Sequence, residues 1–146
     1  MSRMGLLRRV GEARRRLRDA AAGDLAGSDT RLQHTQAEQA SADDQLSSLL
    51  DDAAARFARV QAASGLMLAD EEREAATLHL VRTGQAVQLA AAEREKRRVQ
   101  LERRERELRT TEKLLEAERV ERRHDERRGE QALADDLGGA KAWREP

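Results

Sequence analysis

Leu46-Ser47-Ser48-Leu49-Leu50-Asp51-Asp52-Ala53-Ala54-Ala55-Arg56-Phe57-Ala58-Arg59-Val60-Gln61-Ala62-Ala63-Ser64-Gly65-Leu66-Met67 is the stretch on which the fold turns. Within it Leu46, Leu50, Ala53, Phe57, Val60, Ser64 and Met67 follow one another in alternating steps of four and three. On an α-helix that spacing lines the side chains along one stripe, the a/d seam of a coiled coil. Extended backwards, the register passes Asp43, Gln39, Gln36, Leu32, Asp29 and Leu25, a half-polar run that predicts weaker packing. Near the start, Leu6, Leu7, Val10, Ala13 and Leu17 form a second apolar stripe in a shifted register. Gly23 and Gly27 lie between the two stripes and mark a local weakness, because glycine is a poor helix former.

The composition supports helix and a thin core. Charged residues make up 38% of the 146-residue chain, against about 25% in ordinary domains. Phe57 and Trp143 are the only aromatic residues, and Ile, Asn, Tyr and Cys are absent. So few large apolar side chains cannot fill a thick core, but they can fill the seam between two helices. Ala, Leu, Glu, Arg and Gln dominate and favour helix. The single proline, Pro146, is the last residue, so no interior position lacks a backbone N–H.

The second half repeats the pattern. Leu78 and Val81 open a stripe that passes Gln85, Gln88 or Leu89, and Ala92; Leu101, Leu108 and Leu115 then recur every seven residues, with Val99, Leu114 and Val120 close by. Glu93–Arg97, Glu102–Arg106, Glu105–Arg109 and Glu118–Arg122 are spaced to pair on the outer faces, each adding about 0.2–0.5 kcal/mol of helix support. Gly65 reads as a helix stop and Asp70 as an N-cap followed by acids in the first turn. These signals predict an all-α fold: one domain over 1–146, a long two-helix antiparallel coiled-coil hairpin. Helix 1 spans about 3–64, the turn about 65–70 and helix 2 about 71–137. Gly138-Gly139 ends helix 2 and leaves 138–146 as a flexible tail. Thr83-Gly84 is a second, weaker candidate break. Two arms of near-equal length bring the termini together and set Arg8 to Arg18 near Glu126, Glu130, Asp135 and Asp136.

The formal net charge of zero conceals segregation. Residues 1–18 hold seven arginines and one acid, 19–80 twelve acids and four arginines, and 81–146 a close mixture of both signs. Zero cysteine excludes disulfides and thiolate metal sites and fits a reducing compartment. The apolar run at Met1–Arg9 is too short for a secretory signal, and no stretch reaches the ~20 apolar residues that span a bilayer. The expected location is the cytoplasm.

No residue constellation points to catalysis, a metal or a cofactor. His34, His79 and His124 have no ligating neighbour one helical turn away, and no phosphate-cradling or calcium-binding loop is present. The acidic pairs Asp43-Asp44, Asp51-Asp52 and Asp135-Asp136 point about 100° apart on a helix and serve solubility. The Arg8–Arg18 cluster could grip DNA ahead of a zipper, but it is two or three turns long and lacks an asparagine for adenine readout. A membrane-surface helix is disfavoured because no Trp or Phe anchors that segment. The chain therefore reads as a non-enzymatic protein-binding coiled coil with no nucleic-acid partner.

The C-terminal third adds a resemblance. Glu102-Arg103-Arg104-Glu105-Arg106-Glu107-Leu108, Glu118-Arg119-Val120-Glu121-Arg122-Arg123 and Glu130-Gln131-Ala132-Leu133-Ala134-Asp135-Asp136 resemble the end of FliJ-like proteins, including the YscO-type proteins of virulence secretion systems. That family ends in a charged helix with a Glu-Gln-Lys-x-x-Asp-Glu pattern. Glu130, Gln131 and Asp135 match, Asp136 replaces Glu, and Ala132 stands where Lys is expected. The motif covers about residues 100–137. The resemblance implies a central stalk of a type III export apparatus, flagellar or virulence-associated. Its paired terminal helices insert into the hexameric export ATPase and promote its assembly. The middle of the hairpin meets the export gate protein and export chaperones at the cytoplasmic face of the inner membrane. By the same resemblance the ATPase contact comprises Leu6, Leu7, Val10 and Arg14 on one arm and Glu130, Gln131, Asp135 and Asp136 on the other.

Overall fold

A computed structural model describes residues 2–57 and 63–144. It contains two helices, α1 (Arg3–Phe57) and α2 (Ala63–Arg144). They pack antiparallel, and the fold is the expected all-α two-helix coiled-coil hairpin. Their contacts gather into two units, Met1–Asp19 with Arg103–Pro146 and Ala20–Glu102.

In the 20–102 unit, Ala21, Leu25, Ser28, Leu32, Thr35, Gln39, Ala42, Leu46, Leu49 and Ala53 of α1 face α2 in unbroken steps of three and four. Asp24–Arg97 at 3.7 Å and the Asp29–Arg94 ion pair flank this seam. The predicted register is half right. Leu25, Leu32, Gln39, Leu46 and Ala53 hold their places, but the alternate row is Ser28, Thr35, Ala42 and Leu49, not Asp29, Gln36, Asp43 and Leu50. Desolvation decides between the rows. Burying Asp29 and Asp43 would strand carboxylates from water. Ala42 costs nothing, and Ser28, 2% exposed, satisfies its hydroxyl by donating to the Asp24 carbonyl at 2.8 Å. On α2 the inner row is Ala76, Leu80, Thr83, Val87, Ala90, Arg97 and Leu101. The predicted Leu78–Ala92 stripe faces solvent instead.

In the other unit, Met4, Leu7, Gly11, Arg14 and Arg18 of α1 face Arg104, Leu108, Thr111, Leu115 and Glu118 of α2. Leu108 and Leu115 are buried as their seven-residue repeat requires, whereas Val99, Leu114 and Val120 are exposed. Leu6, Ala13 and Leu17 also face outward. The seam takes Gly11 and Arg14 in place of the predicted Val10 and Ala13.

The punctuation of the helices differs from the prediction. Residues 65–70 are helical, not a turn. A glycine stop needs a left-handed conformation, and no described glycine has positive φ. Leu66, Met67, Leu68 and Ala69 then continue the helix, and Asp70 accepts a hydrogen bond from Arg73 at 2.9 Å instead of capping an N-terminus. Gly138 and Gly139 likewise sit inside α2, which runs on to Arg144, so the expected tail is helix. Gly23, Gly27 and Gly84 do not interrupt their helices. The connection at 58–62, the seam position Val60, the side chains of Phe57 and Ser64, and the tail residues 145–146 lie outside the described residues.

The two arms are therefore unequal: 55 residues in α1 and 82 in α2. Arg3, the first residue of α1, meets Glu118 at 3.5 Å. From Arg119 to Ala140 every residue of α2 is exposed. The expected pairing of Arg8–Arg18 with Glu126, Glu130, Asp135 and Asp136 does not occur, because α1 starts opposite Glu118 and the last turns of α2 extend past it.

Candidate protein-binding site at the uncovered end of the second helix

The start of α1 is built by a cap. Ser2 precedes the first helical residue, and its hydroxyl accepts from the Gly5 N–H at 3.1 Å, satisfying one of the unpaired N-terminal donors. The Ser2 carbonyl accepts from the Leu6 N–H at 3.0 Å. This cap fixes where α1 begins and hence where its cover of α2 ends.

About two and a half turns past Ser2, the helices come close at Gly11. A Cβ on Gly11 would lie 3.5 Å from Thr111 Cγ2 and 3.7 Å from Leu115 Cδ1. Beside it the Arg14 guanidinium crosses the seam and donates to the Glu107 carbonyl at 2.7 Å and to Thr111 Oγ1 at 2.6 Å. Thr111, 1% exposed, donates to the same Glu107 carbonyl at 3.2 Å. The Glu107 carboxylate accepts from Arg104 at 3.1 Å. That hydrogen bond holds its pKa below the ordinary value, with smaller help from the charges of Arg104, Arg103 and Arg14.

The predicted contact residues now separate into two groups. Leu7, Val10 and Arg14 are half-buried in or beside the seam, and Leu6 is exposed. Glu130, Gln131, Asp135 and Asp136 all lie on the uncovered helix. The first of these is twelve residues past Glu118, about 18 Å along a helix. The two groups are not brought together. On the uncovered stretch Gln131 donates to Asp135 at 3.1 Å, and Arg123 bridges to Glu116 at 3.1 Å. Leu133 and Leu137, one turn apart, leave their side chains in water, as does Trp143, 93% exposed.

The sequence pattern did not predict the uncovered helix, although a signal for it is present: after Leu115 no leucine recurs at seven, and the seam positions that would follow are Arg122, Asp125 and Gly129. Among the described residues no three His, Asp or Glu side chains cluster to hold a metal ion. No helix among them is long and apolar enough to cross a membrane. What the arrangement offers is a helical surface of charge, two leucines and a tryptophan, suited to a groove on another protein. No family model, no curated protein and no solved structure matches this chain.

Proposed function

We propose that this chain is a non-enzymatic stalk of a type III protein export apparatus, inserting the uncovered helix 119–140 and the adjoining start of α1 into the hexameric export ATPase. The observation that carries the reading is the uncovered helix, which presents Glu130, Gln131, Asp135 and Asp136, the residues of the motif resemblance, with no intramolecular cover. A helix free of its own hairpin needs no unpacking before it enters a pore. Its coat of both charge signs keeps it soluble while unbound. In this reading the hexamer is the first partner, with the export gate protein and export chaperones beyond it, at the cytoplasmic face of the inner membrane.

The test is turnover of a type III export ATPase from the same genome, measured with and without the full-length protein. Stimulation is expected, with a large loss in a Glu130→Lys, Asp136→Lys variant. Neither residue touches the seam, so the variant keeps its fold. An ATPase that neither binds the chain nor responds to it overturns the proposal. A general scaffold coiled coil is the second reading, favoured by the solvent-facing stripe on α2, and it predicts binding partners but no change in ATPase turnover.

A further inference from the structure

Residues 75–92 of α2 break the rule of the rest of the chain. In a protein that is 38% charged, these eighteen consecutive residues contain one formal charge, Arg82. The segment is uncharged around most of its circumference, although α1 covers only the row of Ala76, Leu80, Thr83, Val87 and Ala90. A surface helix normally turns charge to the water side. Here the opposite side carries Leu78, Val81, Gln85, Gln88, Ala92 and, beyond the uncharged segment, Val99. Their spacing is again three and four, apart from one step of seven between Ala92 and Val99. Leu78, Val81 and Val99 are each about half exposed and Leu89, at the stripe's margin, is 73% exposed. At 100° per residue this row lies diametrically across from the inner one.

A 3.5-residue repeat specifies its cover, since only another helix follows such a stripe over several turns. We propose that this face is a second coiled-coil seam and that a second copy of this chain occupies it. Three features select a copy over a foreign helix. Flanking charges are what match or reject partners across a seam. Between residues 75 and 92 this face has only Arg82 beside it, so a copy meets no like-charge barrier there. Gln85 and Gln88 each carry a donor and an acceptor. They meet glutamine whether the two helices run parallel or cross antiparallel about a point between them. Finally, the outward row of α1 in the same unit, including Gln33, Ala37, Ala40, Asp44 and Ser48, is polar or small. Each chain thus offers one such face, and an isologous contact through a single face closes at two. The proposal is independent of the stalk reading, whose contact residues belong to the other unit.

Sedimentation equilibrium of the full chain over a hundredfold concentration range tests it, beside Val81→Glu and Leu89→Glu variants and a Leu114→Glu control that places a charge off the stripe. The wild type and the control are expected at twice the 16.4 kDa chain mass. Each stripe variant is expected to weaken the dimer about a hundredfold, because a carboxylate would be buried against apolar side chains. Circular dichroism should show unchanged helix content, since neither side chain faces α1. A wild type at monomer mass throughout overturns the proposal, even if it captures a helix from another protein, and so do stripe variants that dimerise as the wild type does.

Discussion

At the residue scale, the crossing of Arg14 over Gly11 is the most constrained contact. Arg14→Ala removes two hydrogen bonds from a charged donor and leaves the buried Thr111 hydroxyl one partner short. The side chain is only half-buried, so the expected loss is about 1–2 kcal/mol, read as a lower melting temperature. Gly11→Ala should act in the opposite direction. The new methyl would sit at ordinary contact distance from Thr111 and Leu115, and alanine gains about 0.5–1 kcal/mol over glycine within a helix. A destabilised Gly11→Ala protein would mean that the helices are closer than 3.5 Å implies. Glu107 sets a pH dependence. Its pKa is lower folded than unfolded, so its contribution is complete above the ordinary glutamate value of 4.5 and is lost as pH falls through the lower folded value. Melting temperature should therefore decline in that acid range, and Glu107→Gln should flatten the decline; equal slopes would show that the Arg104 pairing contributes nothing.

At the element scale, Leu114 and Leu115 make the decisive comparison, because both are leucines in the same turn. Leu115 is 8% exposed and Leu114 46%. Leu115→Ala should cost about 2–3 kcal/mol in chemical denaturation, and Leu114→Ala less than about 0.5 kcal/mol. Comparable losses would place the seam elsewhere. This pair also shows what could be read from sequence alone. Helix content, antiparallel pairing and the every-seventh row of Leu25, Leu32, Leu46, Leu101, Leu108 and Leu115 were legible, since leucine recurring at seven keeps returning to one face of a helix and marks that face for burial. The alternate row was not. Steps of three and four are equally compatible with a seam, and spacing alone fits Leu50 and Leu78 as well as their leucine neighbours Leu49 and Leu80. The structure favours small, uncharged residues such as Ser28, Ala42 and Thr83, which let two helices approach without burying a carboxylate. The turn was misplaced because Gly65 has the right identity for a stop but keeps a helical backbone. Of the candidate site, Glu130, Gln131, Asp135 and Asp136 were expected beside the start of α1; their exposure and their separation from Leu7 and Arg14 depend on helix lengths that composition does not fix.

For the whole molecule, the consequence is an uneven distribution of stability. Residues 3–57 and 63–118 protect one another through the seam, whereas 119–140 is exposed throughout and is held by helical hydrogen bonds and ion pairs along α2 such as Arg128–Asp125 at 3.8 Å and Arg123–Glu116 at 3.1 Å. A helical stretch without a packed apolar face lacks the tertiary contacts that supply most helix stability in proteins. Hydrogen exchange should be fastest there, and trypsin should cut first among Arg119, Arg122, Arg123, Arg127 and Arg128, leaving a fragment with the melting temperature of the intact chain. Early cleavage within 76–101 would contradict this order. Gly138→Ala with Gly139→Ala should slow exchange in the last turns, since neither added methyl meets another atom within 4 Å.

Because 119–140 is exposed throughout and ties back only to its own helix, through pairs such as Arg123–Glu116, changes there escape the veto that folding imposes on Leu108 or Thr111. Substitutions in the two regions should act additively on stability. Over evolutionary time the overhang can therefore be rewritten by whatever it grips, at the pace of that partner, while the paired arms stay fixed.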